Sequence, residues 1–493
     1  MSWLLRSPAI RAIEAEALAA GAPLMARAGL AAAQAAQAML ADAKRHPARV
    51  LVLAGPGNNG GDGCEAAVHL RASGHEVIAC TTGDPARLPR DAAAAAEKWR
   101  AAGGLCTSDL PAPAGFDLVV DALFGIGLAR PVGAPFAHWI ATVNASATPV
   151  LAIDLPSGLD ADTGAVHGCA MAATRTITFI ADKPGLHTHH GPDLAGEIAV
   201  ATLDLRLTFA ASADCGRRLA QTDFAAALAP RKRNTHKGTY GTLGIIGGAP
   251  GMAGAALLAA RAALQLGAGR VLVGMLAEGL AVDPLQPELM LRGAAAIIEE
   301  KPDAMVVGPG LGQSDEALAI LRQAAPLACP LLLDADALNL IARDAKLAAV
   351  VSRRDDATLM TPHPLEAARL LGRSADAVQG DRLAAAVALA RLYHATVVLK
   401  GAGSVIADGN HAWWINPTGN PGMASGGMGD VLAGLTGALV ARRTSPLRAL
   451  QCAVYLHGAA ADALVADGIG PAGLTAGETI ERARFLYNRW CAT

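Results

Sequence analysis

The sequence predicts two α/β domains, each with a mostly parallel sheet covered by helices on both faces. The 493 residues exceed the length over which one hydrophobic core keeps growing, which favours two domains. Short apolar runs alternate with helical stretches in both halves, and glycine-rich loops follow several of these runs. The alternation fades between Leu205 and Arg231. We therefore predict domains at residues 1–222 and 223–493.

Each half contains its own series of candidate elements. In the first half, helical sequence runs from Ile10 to Leu40 and again from Cys64 to Ser73. The strand candidates of the first half are Val50–Leu53, His75–Cys80, Leu118–Val120, Val150–Ile153 and Thr176–Phe179. Those of the second half are Thr242–Ile246, Arg270–Val273, Ala304–Val307, Leu331–Leu333 and Thr396–Leu399. The halves share no motif order, so duplication is not supported.

Composition and charge exclude several classes of protein. Hydrophobic residues make up 52% of the chain but aromatic residues only 3%, and no long run of large apolar residues indicates a membrane span. With 41 basic and 43 acidic residues and no basic block, nucleic acid is not an expected partner. The N-terminus lacks a signal-peptide pattern and the eight cysteines are scattered, so we expect a cytoplasmic protein with reduced thiols. Alanine-rich helix faces could pack against a second subunit, or equally well against a sheet within one chain. We expect a homo-oligomer.

A glycine loop follows the first strand candidate. Gly55, Gly57 and Gly60 have the G-x-G-x-x-G spacing, which allows backbone N–H groups and a helix N-terminus to approach a pyrophosphate. This pattern indicates a Rossmann-like three-layer domain, although a tight glycine turn without a ligand gives the same spacing. Asn58, Asn59 and the nearby Asp62 add side-chain oxygens, so the loop could hold a cation as well as phosphate.

Carboxylates follow two further strands of the same half. Asp121 and Asp154 each end a strand candidate, and Ser157 lies just beyond the second. Because the carboxyl ends of parallel strands meet at one edge of a sheet, we expect these side chains to share a rim with the glycine loop. Taken singly, each aspartate could equally be a helix cap or a turn residue.

These motifs together resemble the NAD(P)H-hydrate epimerase family over about residues 10 to 210. The matching segments are residues 25–29, 55–63, 123–132 and 154–160. The resemblance implies that K⁺ is bound by Asn59, Asp121 and Ser157, and that Asp154 contacts the hydrated ring. It also implies that two loops hold the hydrated cofactor: Asn58, Asn59, Gly60, Gly61, Asp62, and Gly125, Ile126, Gly127, Leu128, Ala129, Arg130, Pro131.

The chemistry implied for this site is modest. The damaged carbon carries a hydroxyl and the ring nitrogen, so it is a hemiaminal, and such centres epimerise slowly without help. One positioned carboxylate acting as general acid and base would lower that barrier. We take Asp154 as this group, with Lys183 either as its electrostatic helper or as an ordinary loop lysine.

The second half contains a sharper pattern at residues 416–430. Its glycine-rich loop leads directly into the apolar helix Val431–Leu439, so the amides of Gly426 to Gly429 could surround a phosphoryl group at a helix N-terminus. Asp430 is placed to accept a proton from an attacking hydroxyl, or else only caps the helix. Upstream, Lys400 to Ser404 offers amides, a hydroxyl and an ammonium to a nucleotide without any P-loop motif.

The combination resembles the ribokinase-like superfamily, and closely its NAD(P)H-hydrate dehydratase branch, over about residues 225 to 485. Further matching segments are residues 236–241, 247–256, 307–312, 333–339, 361–364 and 455–458. The resemblance implies Mg²⁺ and ADP or ATP as phosphoryl donor. The residues implied for the nucleotide are Lys400, Gly401, Ala402, Gly403, Ser404 and Gly429. Those implied for the hydrated cofactor are Gly254, Ala255, Gly312, His363 and Asp430.

Two departures from that family pattern stand out. Met428 replaces the usual Ser or Thr, and Leu365 replaces the usual Gly after His363-Pro364. His363 could otherwise be a turn histidine, and the Trp413-Trp414 pair is interpreted as packing.

We therefore expect a bifunctional enzyme that epimerises the R and S forms of hydrated NADH and NADPH, and dehydrates the S form. Phosphorylation of the ring hydroxyl would convert it into a good leaving group. One alternative is a small-molecule kinase of the ribokinase type fused to a regulatory dinucleotide-binding domain. Another is a first domain that only binds or scaffolds.

Overall fold

The structure is a computed structural model that describes residues 2–82, 84–207, 214–278, 280–410 and 412–492. The chain divides after Gly216 into two compact units. In each unit a largely parallel sheet lies among helices, as the α/β prediction requires. All eight cysteines are free.

The first unit has a seven-stranded sheet. The strands of this sheet are β2 Arg49–Ala54, β3 Glu76–Thr81, β4 Leu105–Thr107, β5 Leu118–Ala122, β6 Val150–Ile153, β7 Arg175–Phe179 and β8 Glu197–Ala201, and the short strand β1 Ser2–Leu5 lies outside it. Its helices are α1 Ser7–Ala19, α2 Leu24–Asp42, α3 Asn58–Ala72, α4 Arg90–Ala101, α5 Phe136–Asn144 and the single turn α6 Gly191–Leu194. The sheet has the order β4-β3-β2-β5-β6-β7-β8, and every pair in it is parallel.

Both faces of this sheet are buried, which explains why its central strands are apolar without interruption. Val50 and Val52 of β2 belong to a core with α2, α3 and α4, whereas Leu51 and Leu53 belong to a second core with Trp139 of α5. Alternate residues of one strand therefore bury opposite faces.

Two helix boundaries differ from the predictions. The helical sequence predicted over Ile10–Leu40 forms two helices, because Gly21 adopts a φ of +79° and Pro23 precedes α2. Helix α3 begins at Asn58 and not at Cys64, so most of the predicted loop is helical. The glycines there permit close packing, since a Cβ atom at Gly60 would lie 2.0 Å from the Gly55 carbonyl oxygen.

We expect Gly60→Ala to lower the free energy of unfolding of the first unit by about 1–3 kcal/mol, because the added methyl forces the glycine loop to shift. Gly127→Ala is the matched control, since no atom lies within 4 Å of a Cβ there. Urea unfolding of both variants measures the difference. Equal stability of the two would show that Gly60 is not held by packing.

The division after Gly216 falls within β9 Cys215–Arg218, and its Arg217 and Arg218, in the second unit, pair with β18. The further strands are β10 Thr242–Gly247, β11 Arg270–Met275, β12 Met290–Gly293, β13 Ala304–Val307, β14 Leu331–Leu333, β15 Thr358–Met360, β16 Thr396–Leu399, β17 Val405–Ala407 and β18 Trp413–Ile415. The helices are α7 Ala253–Leu266, α8 Ala294–Glu299, α9 Asp315–Ala324, α10 Asp336–Arg343, α11 Ala345–Ser352, α12 Pro364–Leu371, α13 Ala375–Gly380, α14 Arg382–Leu392, α15 Met428–Ala441, α16 Pro446–Ala466 and α17 Ala476–Ala492.

The strands of the second unit follow the order β18-β17-β16-β15-β14-β13-β10-β11-β12. They are parallel except at β17, which is antiparallel to both of its neighbours. The five predicted strands of this half are all present, and Trp413 and Trp414 lie buried in β18, as the packing interpretation predicts.

Helix α16 is long and apolar enough to span a membrane by length and composition, with a mean hydropathy of 1.3 in its most apolar window. Within the unit, 67% of that window is buried, and the helix packs against α15 and α17. Its apolarity therefore builds the core of the second unit.

Candidate active sites

The first candidate site lies at the carboxyl ends of β2, β5 and β6. Strand β2 leads into the glycine loop, β5 contains Asp121 near its end, and β6 leads into Asp154. The chain leaves β2 for β3 on one side of the sheet and returns at β5 on the other, which makes this edge the topological switch point. Ligands of open α/β sheets bind at this position.

Asp154 directly follows β6 and forms a buried ion pair with Lys183. The Lys183 ammonium lies 2.8 Å from Oδ1 of Asp154 and donates to the Thr178 hydroxyl at 2.6 Å. Only 1% of Lys183 is exposed, so the interpretation as an ordinary loop lysine is wrong. A buried lysine needs such a partner, because an isolated charge in a protein interior is costly.

The glycine-isoleucine-glycine loop lies against the same carboxylate. A Cβ atom at Gly125 would be 2.9 Å from Oδ2 of Asp154 and 3.4 Å from Oδ1 of Asn59. The structure therefore brings Asn59, Gly125 and Asp154 together. Asn58 and Arg130 are exposed at the outer side of their loops.

Asp121 and Ser157 form a second, fully buried pair. The Ser157 amide and hydroxyl donate to the Asp121 carboxylate at 2.8 and 2.7 Å, and the Phe124 amide donates to the Ser157 hydroxyl at 2.9 Å. Burial raises the pKa of Asp121 to about 6, against the lowering effect of the Ser157 hydrogen bonds. The Asn59 side chain is also buried, and its Nδ2 has no hydrogen-bond partner among the described residues.

Two further acids surround Asp154. Burial, followed by the Asp154 carboxylate, raises the pKa of Asp62 well above its usual value, and the same two causes raise that of Glu14. Glu14 belongs to α1, and sequence reasoning missed it because a lone glutamate on a helix normally faces solvent. Acidic side chains therefore lie around the buried Lys183 ammonium.

The second candidate site lies at the carboxyl ends of β13 to β16. Asp334 follows β14, Thr361 follows β15 and Lys400 follows β16. The Lys400 ammonium is 2.9 Å from Oδ1 of Asp334, which also accepts from the Thr361 hydroxyl at 2.7 Å. A Cβ atom at Gly429 would lie 3.2 Å from the Lys400 ammonium, so the start of α15 covers this pair.

The charged groups around Lys400 shift the pKa values of Lys400 and of Asp430. Burial lowers the pKa of Lys400, but Asp334, Glu366 and Asp430 outweigh it, and the net direction is upward. Burial and then Asp334 raise the pKa of Asp430 to about 7, while Lys400 lowers it. A carboxyl with a pKa near neutrality is suited to accept and return a proton.

Asp430 does not cap its helix. The N-cap of α15 is Gly427 at a φ of +90°, and Asp430 is the third residue of the first turn. The cap alternative is therefore wrong, and the helix begins three residues earlier than expected. No hydrogen bond holds the Asp430 carboxylate within the part of the chain that the structure describes, which leaves it available to a ligand.

Residues 400–404 form the turn between β16 and β17. The Ser404 hydroxyl donates to the Gly401 carbonyl at 3.0 Å and accepts from its amide at 3.3 Å. Arg382, which is 1% exposed, lies beneath the turn and donates to the carbonyl groups of Leu399 and Lys400. The turn is thus fixed before any nucleotide is bound.

The residues expected to face the hydrated cofactor lie in the first turn of α7, in the loop after β13 and at the start of α12. Gly254 and Ala255 are in the first turn of α7, and the Gly312 amide donates to Asp336 at 2.9 Å. His363 is the N-cap of α12: Nδ1 accepts from the Glu366 amide, and Nε2 lies 3.0 Å from the Glu366 carboxylate. Both ring nitrogens of His363 are therefore engaged within the chain.

Comparison with known proteins extends over the whole chain. The chain is 40% identical to the bifunctional NAD(P)H-hydrate repair enzyme Nnr of Coxiella burnetii, over 99% of this chain and 100% of that protein. It is 41% identical to the Escherichia coli enzyme of the same name, over 94% of this chain and 89% of that protein. The chain belongs to the family of bifunctional NAD(P)H-hydrate repair enzymes.

The two halves of this repair-enzyme chain match two separate families. Residues 21–185 match the YjeF-related protein N-terminus, and residues 243–481 match NAD(P)H-hydrate dehydratase. The Bacillus subtilis ADP/ATP-dependent NAD(P)H-hydrate dehydratase, crystallised with ATP and Mg²⁺, superimposes with a TM-score of 0.50 at 31% identity. That alignment covers 56% of this chain and 99% of the Bacillus protein, which confirms the expected fold of the second domain.

Several residues that lie in the repair enzyme's candidate sites were not predicted from the sequence. Asp334 and Thr361 lie in segments that were matched to the family but were given no role, and Glu366 lies just beyond one of them. The departures cause no visible distortion: Met428 is buried as the first residue of α15, and Leu365 is exposed in the first turn of α12.

Proposed function

We propose that this chain repairs hydrated NADH and hydrated NADPH in two steps. Residues 1–222 interconvert the R and S forms, and residues 223–493 dehydrate the S form with ADP or ATP. The observation that carries the proposal is that each unit places a carboxylate beside a lysine at the carboxyl edge of its parallel sheet. Asp154 is paired with Lys183 in the first unit, and in the second Asp430 lies close enough to Lys400, itself paired with Asp334, for the ammonium to lower the pKa of Asp430.

In the first site, Asp154 is the general acid and base for the hemiaminal. The hydroxyl loses its proton as the ring C–N bond opens to a carbonyl, and regains it after the nitrogen adds to the other face. Asp154 accepts and returns that proton, while Lys183 holds the carboxylate in place. Residues 58–62 and 125–131 surround the remainder of the cofactor.

The first site also suits K⁺. The oxygens of Asn59, Asp121 and Ser157 are ligands that hard cations prefer, and the Phe124 carbonyl lies 3.3 Å from the Ser157 hydroxyl. The unpartnered Nδ2 of Asn59 is a hydrogen-bond donor, so it would bind an acceptor of the cofactor while Oδ1 is the atom available to the cation. A bound K⁺ would offset the negative charge of the cofactor phosphates and of the acidic surroundings.

In the second site, Asp430 is the base that activates the ring hydroxyl. It removes the hydroxyl proton as the oxygen attacks the terminal phosphorus of the nucleotide. The nitrogen lone pair of the ring then expels phosphate to give an iminium ion, and loss of a proton from the neighbouring ring carbon restores the dihydropyridine. Gly254, Ala255, Gly312 and His363 line the cofactor side of this site.

The nucleotide side of the second site is formed by residues 400–404 and the Gly429 amide. Among the described residues, no group of three or more His, Cys, Asp or Glu side chains forms a metal cage. Mg²⁺ is usually bound by one or two carboxylates and by substrate phosphates. Bound Mg²⁺ would offset the charge on those phosphates.

The raised pKa of Asp430 predicts how dehydration depends on pH. Because the base must be ionised, kcat/KM should fall about tenfold per pH unit below about pH 7. Lys400 lowers the pKa of Asp430, so Lys400→Met should move the midpoint to higher pH, whereas the exposed Lys346→Met should not. A midpoint near pH 4 in the wild type would contradict the assignment.

Recovery of the reduced-nicotinamide absorbance tests the proposed function. The full chain is mixed with Mg²⁺, either ADP or ATP, and both epimers of hydrated NADH. We expect the whole mixture to be converted. If only half is converted, the first unit is not an epimerase, and if none is converted with either nucleotide, the second unit is not a dehydratase.

A further inference from the structure

The loop at residues 416–427 connects β18 to α15 in the second unit and leads to Asp430. At its start, the Asn416 amide donates to the Ser404 carbonyl at 2.9 Å, in the turn proposed to bind the nucleotide. At its end, Gly427 is the N-cap of α15, three residues before Asp430. The position of this loop therefore determines where the proposed base lies relative to the nucleotide turn.

One carboxylate of α16 binds two consecutive residues of the 416–427 loop. Oδ2 of Asp462 accepts from the Gly419 amide at 2.9 Å, and Oδ1 accepts from Nδ2 of Asn420 at 3.0 Å. Oδ1 of Asn420 in turn accepts from the Gly422 amide at 3.0 Å, which fixes the orientation of the Asn420 side chain. Asp462 is half-buried and has no lysine or arginine partner among the described residues, so both of its oxygens serve the loop.

The same helix contacts the 416–427 loop at two further points. The Thr418 hydroxyl donates to the Tyr455 carbonyl at 2.9 Å. A Cβ atom at Gly458 would lie 2.3 Å from the Thr418 hydroxyl oxygen, so only glycine allows the helix and the loop to approach this closely. Tyr455, Gly458 and Asp462 are spaced three and four residues apart, which places them on one face of α16. This face of α16 therefore supports the loop.

The 416–427 loop needs such support because of its composition. Four of its twelve residues are glycines, and the backbone freedom of glycine disfavours any single conformation. Hydrogen bonds to an ionised acceptor are stronger than bonds between neutral groups, so the Asp462 carboxylate is the strongest of the contacts from α16. A catalytic group that is misplaced by about 1 Å can lose about 10²-fold in rate. Small movements of the loop would therefore be felt at Asp430.

We propose that Asp462 is a positioning residue for the dehydration reaction. It holds Gly419 and Asn420, and through them the loop that places Asp430 and the first amides of α15 against the nucleotide and the hydrated ring. Asp462 acts in this role through the loop and not on the reacting atoms. The proposal rests on the proposed function of the second unit and deepens it.

Asp462→Asn tests the proposal because it keeps the shape of the side chain and replaces one acceptor oxygen with an NH₂ group. That group cannot accept, so either the Gly419 amide or Nδ2 of Asn420 loses its acceptor. Turning the Asn420 amide over would only sacrifice its bond from Gly422. With purified S epimer, Mg²⁺ and saturating nucleotide, we expect kcat to fall at least about tenfold, with KM for hydrated NADH within about twofold of the wild type.

An exchange of the two side chains provides the matched rescue. In Asp462→Asn combined with Asn420→Asp, the carboxylate at position 420 can accept from the NH₂ group at position 462 and from the Gly422 amide. The amide oxygen at position 462 can still accept from Gly419. We expect kcat of this double variant to return to within about threefold of the wild type. Asn420→Asp alone opposes two carboxylates and should lose at least as much activity as Asp462→Asn.

A role in stability alone is separated from positioning by measuring every rate well below the thermal midpoint of each variant, where all chains are folded. Asp376→Asn, an exposed aspartate of α13, is the control and should keep the wild-type kcat. Epimerisation by the first unit should be unchanged in every variant.

Unchanged kcat in Asp462→Asn would overturn the proposal, whether or not the thermal midpoint falls, since Asp462 would then only stabilise the fold. A double variant as impaired as Asp462→Asn would also overturn it, because the loss would not pass through the contact with Asn420. If the wild type converts no S epimer with ADP or ATP, the proposed function itself fails, which is a different result.

Discussion

Asp430→Asn is expected to abolish the nucleotide-dependent dehydration of the S form and to leave epimerisation unchanged. The substitution preserves the shape of the side chain but removes the base, and general base catalysis contributes about 10²–10⁴-fold. Helix α15 should persist, because its N-cap is Gly427 and the Asp430 side chain makes no capping bond. The rate of absorbance recovery from purified S epimer with ADP and Mg²⁺ measures the effect.

The control for this variant is Asp315→Asn, which changes an exposed aspartate in the first turn of α9. It should retain the wild-type rate. If Asp430→Asn kept more than a tenth of the wild-type kcat, another group would have to accept the hydroxyl proton. Asp334 would then be the nearest candidate, because it contacts Lys400 on the same edge of the sheet.

Asp154→Asn is expected to lower the epimerisation rate by about 10²–10⁴-fold while dehydration of purified S epimer stays normal. Asparagine tolerates the left-handed conformation that Asp154 adopts, at a φ of +67°, so the backbone should not change. The loss would therefore report the missing carboxylate. Equilibration of purified R epimer without nucleotide measures it.

This variant also leaves Lys183 as a buried charge without its carboxylate partner. Breaking a buried pair in this way costs about 3–5 kcal/mol, so a lower thermal midpoint is expected. The double variant Asp154→Asn with Lys183→Met removes the stranded charge and should recover much of the stability without recovering epimerisation. Recovery of activity in the double variant would contradict the role of Asp154.

The glycine loop shows why helix boundaries were harder to predict than strands. Residues 58–63 contain three glycines, which have low intrinsic helix propensity, and so they were predicted to be a loop. Their burial against Gly55 and Ala122 overrides that propensity. The central strands of the first sheet were predictable because both of their faces are buried, which makes them continuously apolar.

The sites were predictable only where a side chain follows a strand within a recognisable motif. Asp121, Asp154 and Lys400 met that condition, and the structure places each at the expected edge. Glu14 did not, because α1 brings it to the site from a distant part of the sequence. Asp334 follows a short strand and is recognisable only by its contact with Lys400.

The edge strands β4, β8 and β12 also escaped prediction. Leu105 and Met290 are exposed, and Glu197 begins β8, so these strands lack the continuous burial that marks the centre of each sheet. Pairing to one neighbour only gives them a weak sequence signal.

Mixing the two inactive variants tests most directly whether one chain contains two separate activities. With Mg²⁺, nucleotide and both epimers of hydrated NADH, Asp154→Asn alone should rapidly convert only the S fraction, and Asp430→Asn alone should convert none. An equal mixture of the two variants should convert everything, as the wild type does. Failure of the mixture to convert the R fraction, with both variants folded, would contradict the assignment of one activity to each unit.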